Sequence, residues 1–305
     1  MNLIPRAIGK LAPLLGLVCL PLLGPVSATA EVQLFQVDPV RSSLTLQGQT
    51  AGVAWQEQAA GSLVAQFQGW LAVDLNTDSI QFIAGSSLVG VQTSIWSPGP
   101  RGSGATEPAD FGGNVTVGTG FSTVHMVSAI RDLAFSVSSD PLPLMDGQFG
   151  DALQLTTPTG GPPALDYRAS SLLVQGGRRS LAGLSNTNVP GPGTFVKPIN
   201  PDSGPVLTIP IDVSLPPQAT PAGETILRFT GQAVATRGGF ILQPVLLWVP
   251  SATVPGQFTL VWDARFKLQS TADLGTPNWT DYPARAPVDV SFDGEAGFFR
   301  LVPAP

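Results

Sequence analysis

The sequence predicts an all-β protein, a large antiparallel barrel or sandwich followed by a small antiparallel β domain. Three observations predict it. Apolar and polar residues alternate with period two over long runs, the signature of strands with one buried face. Gly (34) and Pro (30) are numerous enough to break the chain into many short strands. Hydrophobic residues make up 43 % of the chain and charged ones only 12 %, below the usual quarter, so there is apolar surface to bury and disorder is disfavoured.

The elements follow in order. Arg6 and Lys10 precede an apolar run, Leu11 to Leu23, interrupted by Pro13, Gly16 and Pro21, and Ser27-Ala28-Thr29-Ala30 supplies small residues at an A-x-A exit. This pattern reads as a secretory signal peptide over residues 1–30, which predicts a chain exported to the periplasm or beyond the cell. The run is shorter than the ~20 apolar residues of a membrane-spanning helix. The single cysteine, Cys19, lies inside it, so the remainder must hold together by burial and not by disulfides.

Residues 31–237 read as the barrel or sandwich. In Ser62 to Leu75, Leu63, Ala65, Phe67, Leu71, Val73 and Leu75 share one face. Asp74 to Asp78 then reads as a hairpin turn before Ile80 to Ile83. Thr123 to Val137 fits strands, although Val127, Ile130, Leu133 and Val137 also keep helical spacing. Gly176-Gly177 suggests a hairpin turn. Trp96 to Gly113, Pro158 to Pro163 and Val189 to Gly204 are dense in turn formers and read as loops. Val206 to Leu215 alternates strictly, with Pro210 pointing to an edge or a bulge. Thr225 to Ala235 reads as a further strand. A boundary is expected near Gly238, with residues 238–305 forming the small domain.

Two stretches carry resemblances. Phe258-Thr259-Leu260-Val261-Trp262, Phe266 to Leu274, Asn278-Trp279-Thr280 and Gly297-Phe298-Phe299-Arg300-Leu301 stand in the order of a β module found at the C-terminus of many secreted proteins of environmental bacteria. The resemblance spans about 245–302 and implies a compact accessory domain, with Trp262 and Trp279 in its core and no activity. Phe35 to Leu44 is similar to the opening of YceI-like, lipocalin-type barrels, which bind isoprenoid lipids. Arg41 stands where their D-x-x-H-S pattern has histidine. This likeness implies a barrel.

For function, the leader holds two of the 15 Lys and Arg and none of the 21 Asp and Glu, so the rest carries 13 − 21 = −8. Such a surface repels phosphate backbones, which argues against nucleic acid as a partner. The one histidine, His125, has no nucleophile elbow to serve, and the sequence reads as having no catalytic residues, no metal site and no cofactor. Asp74-x-Asn76-x-Asp78 has the opening spacing of a calcium loop but lacks its glycine and its terminal Glu, so turn chemistry accounts for it. Asp132, Asp140, Asp146, Asp151 and Asp166 are the carboxylates from which a glycan hydrolase would have to draw a pair. Trp55 and Trp96 are the candidate ligand-binding residues, as aromatic faces able to stack on sugars. The expected role is therefore a secreted, non-catalytic structural or interaction protein. The alternatives are a lipocalin-like barrel holding an apolar small molecule and a glycan-binding protein.

Overall fold

The computed structural model describes residues 31–92, 94–150, 153–159, 163–188, 192–197, 204–237, 245–250, 254, 256–282, 286–291 and 297–304. Residues 1–30, with Cys19, lie outside these residues, as does the expected boundary at Gly238. The chain is all-β, 63 % strand and 3 % helix, built around a closed eight-stranded antiparallel barrel with smaller antiparallel sheets added to it.

The barrel is a meander in which each strand position pairs with the next along the chain. The first position is Glu31–Val37 continued by Ser43–Thr50, and the second is Val64–Leu75. Ser79–Phe82 with Ser87–Gly90 forms the third, and Ala134–Ser138 with Leu142–Met145 the fourth. Gln148–Phe149 with Leu153–Thr156 makes the fifth, and Ser185–Asn188 with Gly193–Val196 the sixth. Val206–Leu215 and Thr225–Thr236 are the seventh and eighth. The ring closes where the eighth pairs with the first, from Gln36↔Thr236 to Thr50↔Thr225.

Two of the split positions are repaired by the same device. Between Glu31–Val37 and Ser43–Thr50 the chain loops out, and the Ser42 hydroxyl takes over the missing ladder contact. It accepts from Val234 N–H at 2.9 Å and donates to Val234 C=O at 3.1 Å. Between Ser79–Phe82 and Ser87–Gly90, Ser86 does the same for Ala72, with both contacts at 2.9 Å. A hydroxyl has one donor and two acceptor sites, so one serine serves both backbone groups. All four residues are buried.

The inward faces are those the alternation predicts. Val206–Leu215 buries every second residue, from Leu207 to Leu215, and Val64–Leu75 points Ala65, Phe67, Leu71 and Val73 inward. Phenylalanines fill the ring: Phe67 against Phe135, Phe135 against Phe229, Phe82 against Phe149, and Phe35 against Phe195. Eight strands enclose a space just wide enough for such filling.

Every long connection leaves from one end of the barrel. Residues 51–63, 91–133 and 157–184 all depart and return there, whereas the opposite end carries turns such as 76–78 and 146–147. Strands from the three long connections join into a five-stranded sheet, ordered Val174–Ser180, Ala164–Ser170, Val124–Arg131, Phe111–Val117 and Gln56–Glu57. This sheet closes the mouth. Phe111 packs on Phe229 with ring centroids 5.5 Å apart, and Val115, Met126, Ile130 and Leu165 join the barrel core.

Four expectations are corrected. The stretch 96–113 is not all loop, since it holds Glu107–Ala109 and the start of Phe111–Val117. Gly176-Gly177 is not a turn; the hairpin turns at 171–173, and both glycines lie inside Val174–Ser180. They are small because the Gly102 backbone and the Tyr167 ring occupy the space a side chain would need. The stretch 189–204 is not all loop, since it contains the barrel strand Gly193–Val196, whose Phe195 turns inward onto Phe35. Pro210 is at neither an edge nor a bulge. It sits inside the ring, paired to Gln232 and just past the Val206–Thr208 ladder to the sixth position. The segment 123–137 is strand, as Val124–Arg131 and the start of Ala134–Ser138.

Residues 246–303 form two three-stranded sheets around Leu260, Trp262, Leu268, Phe299 and Leu301. They pack on the outside of the barrel, where Val261 and Leu247 cover Val32, Leu34 and Ala72. Asp263 fastens this contact by accepting from the Leu34 N–H at 3.3 Å, while Arg237 and Arg265 pair with its carboxylate. Trp262 is buried, and Trp279 is half-buried beneath the Arg300 guanidinium.

Candidate functional site

The rim where the long connections meet the barrel holds two buried carboxylates with opposite surroundings. Asp166, on the face of Ala164–Ser170 that the 96–108 segment covers, is fully buried and receives four charged or backbone donors. Arg131 reaches it at 2.8 Å, Arg178 grips it with Nε and Nη2 at 2.8 Å each, and the Arg101 N–H donates at 2.7 Å. Burial alone would raise its pKa; the Arg178, Arg101 and Arg131 contacts outweigh burial and hold it below the ordinary 3.8. The remaining Arg131 donors bind the carbonyls of Trp96, Pro98 and Pro108. This cluster latches the 96–108 segment to the sheet.

Asp110 has no such partners. Its Oδ2 accepts the Leu133 N–H at 2.8 Å, and its Oδ1 is buried without a hydrogen bond. Gly90 crosses directly over Oδ1, where any side chain would collide with it. Burial pushes the Asp110 carboxyl up to about 6; the nearby Asp132 charge adds to the rise, while the Leu133 N–H, the Gln92 amide and the Arg131 charge oppose it. Beside it the outer wall carries an open depression of about 480 Å³, lined by Gln68, Gly90, Gln92, Asp132 and Pro163 among others. Asp132, held at φ 54°, accepts from Gln92 at 3.1 Å on its rim. A carboxyl that titrates near neutrality is able to take or give a proton, and this sets Asp110 apart from the arginine-held Asp166.

The sequence-predicted residues are not brought together. Trp55 is buried, with its ring against Gly48 and Gly113 and its indole N–H donating to Thr50 at 2.9 Å. Trp96 is half-buried over Gly112. Of the five carboxylates, Asp132 reaches the depression and Asp166 is neutralised by arginines. Asp140 and Asp146 are exposed beside the barrel turns, and Asp151 lies outside the described residues. His125 is exposed, with Nδ1 2.9 Å from the Thr116 hydroxyl. Asn76 closes its hairpin through Ser79. Among the described residues no group of three or more His, Cys, Asp or Glu is placed to hold a metal ion, and no helix is long and apolar enough to cross a membrane.

Asp110 is the residue sequence reasoning missed. It sits between Ala109 and Phe111, two fully buried neighbours, and that apolar flanking was the available signal. Comparison with protein-family models, with curated proteins and with solved structures finds no match.

Proposed function

We propose that this chain is an exported, non-catalytic β scaffold that acts through its outer surface, in a structural or interaction role outside the cytoplasm. One observation carries the reading: the barrel is filled by its own phenylalanines and its mouth is closed by a sheet drawn from all three long connections. An apolar ligand carrier keeps that space for its cargo. Here Phe111 and Phe229 meet where the entrance would be. The additions to the barrel lie on its outside, and contact with a partner falls to them.

The glycan reading has less support. The buried Trp55 presents no free ring face, and Trp96 only part of one.

Organic extraction and mass spectrometry of the purified chain test the proposal. No apolar molecule is expected in stoichiometric amount, and recovery of one would replace the scaffold with a carrier. Turnover of a panel of chromogenic glycosides, abolished by Asp110→Asn, would replace it with an enzyme.

A further inference from the structure

We infer that the far end of the five-stranded sheet is a membrane-surface anchor, in which two neighbouring hairpin tips insert apolar side chains into an anionic lipid bilayer. This inference takes the outer-surface role above as its basis and names the partner.

The tips are adjacent by register. Phe111–Val117 and Val124–Arg131 form one hairpin, Ala164–Ser170 and Val174–Ser180 the other, and the two join through the ladder that pairs His125 with Ser170. Their turns, 118–123 and 171–173, therefore leave the same edge of the sheet, about two strand spacings apart. Phe121 at the first tip is 100 % exposed, and Leu172 and Leu173 at the second are 89 % and 73 % exposed, with Val174 following at 57 %. These are the most exposed large apolar residues on this sheet. The first tip is braced within its own turn, where the Ser122 hydroxyl donates to the Thr119 C=O and the Thr123 hydroxyl to the Gly120 C=O.

A side chain that touches almost nothing of its own molecule forms no groove and no flat patch. It is a prong, and prongs suit a medium that deforms around them, as the headgroup and acyl boundary does. Charge selects the kind of bilayer. The chain is −6 overall, yet 111–131 and 167–180 contain no carboxylate while supplying Arg131, Arg168, Arg178 and Arg179. Asp166 engages Arg131 and Arg178. Arg168 is exposed two residues before Ser170 at the base of the second tip; its Nη1 donates to the Gly102 carbonyl at 3.2 Å, which leaves the rest of the guanidinium for an anionic headgroup.

Flotation of the full chain with vesicles of equal phosphatidylglycerol and phosphatidylcholine, and with phosphatidylcholine alone, tests the inference. Because the apolar run Leu11 to Leu23 is shared by every variant, the reading is local. In a Cys19→Ser background, Leu172→Cys carrying an environment-sensitive dye is expected to shift its emission to the blue with the anionic vesicles. A control dye at Thr45→Cys, on the barrel, is expected not to shift. Phe121→Ser with Leu173→Ser should weaken the vesicle response at position 172 at least tenfold, and 0.5 M salt should weaken it as well. No shift at position 172 with anionic vesicles overturns the inference, as does an equal shift at Thr45→Cys. A wild-type chain that ignores vesicles but self-associates in sedimentation, with the serine variant monomeric, also overturns it and makes the tips an interface between copies. None of these failures touches the filled barrel, which the extraction experiment tests separately.

Discussion

The barrel and the sheet that closes it solve the same problem with different chemistry. In the barrel, order comes from alternation: one face of each strand is apolar, and phenylalanines interlock across the ring. The closing sheet is assembled from three distant parts of the chain, and at its centre sits a charged cluster, Asp166 with Arg131 and Arg178. Apolar packing is non-directional, so it fills a ring well but does not by itself fix an irregular segment. A carboxylate between two guanidiniums is directional, and here it fixes the 96–108 segment through three carbonyls. Burial holds the barrel; geometry holds the latch.

Two replacements of similar size break the comparison most sharply. Phe229→Ala removes the ring that joins Phe111 to Phe135 and should cost about 3–5 kcal/mol by cavity formation. Asp166→Ala leaves the buried Arg131 without its counter-charge and should cost about 3–5 kcal/mol as well. Their local signatures differ. Limited proteolysis of Asp166→Ala should first cut within 96–108, whereas Phe229→Ala should lower the midpoint of the whole chain with no early site. Early cutting at 96–108 in both would show that the latch and the core are one unit.

The two buried aspartates carry the comparison into pH. Asp166 sits below 3.8, so its stabilisation is complete above that value and is lost as pH falls through the folded pKa. Asp110 has the opposite sign. Its folded pKa of about 6 exceeds 3.8, so its contribution is complete below 3.8 and is lost as pH rises toward and through 6. Over roughly two pH units this amounts to about 3 kcal/mol. Asp110→Asn keeps an acceptor for the Leu133 N–H and removes the titration. Denaturant melts from pH 4 to 7 should therefore decline for the wild type relative to the variant. Parallel curves would mean that Asp110 remains ionised throughout.

This contrast also explains what was legible in the sequence. Val206–Leu215 and Val64–Leu75 announce their inward faces because period two is a local signal. The strand Gly193–Val196 hides among glycine and proline, and only its pairing across to Val206–Thr208 and the Phe35 contact give it away. Gly176-Gly177 reads as a turn because glycine serves both turns and close approaches, and the second use depends on Gly102, far off in sequence. Closure of the ring between Glu31–Val37 and Thr225–Thr236 is equally non-local. At the candidate site, Asp132 stands among the candidate carboxylates for its residue type alone. Asp110 owes its shifted pKa to what lacks contact with it, and no spacing rule encodes that.

The bridging serines predict a smaller effect. Ser86→Ala takes away the acceptor of the Ala72 N–H, which lies between the barrel interior and the C-terminal sheets. An unsatisfied buried N–H costs about 1–3 kcal/mol. The Ala72 carbonyl keeps the Ile83 N–H at 3.0 Å, so only one group is orphaned. Ser42→Ala should behave alike, because Val234 C=O retains Asp38 N–H at 2.8 Å. Amide exchange at Ala72 and Val234, each faster in its own variant and unchanged in the other, checks that the two repairs are independent.

The smallest effect belongs to Arg228 and Asp212, neighbours on the seventh and eighth strands with a bidentate contact on the outer surface. By drawn geometry this pair rivals the Arg178 grip on Asp166. Its arginine is half-exposed, however, and water screens what the geometry offers. Arg228→Gln should leave the denaturation midpoint within experimental error and remove what little salt dependence the pair contributes. A clear loss of stability there would mean that directional charge contributes on the barrel wall as it does in the latch, and the division between the two regions would have to be redrawn.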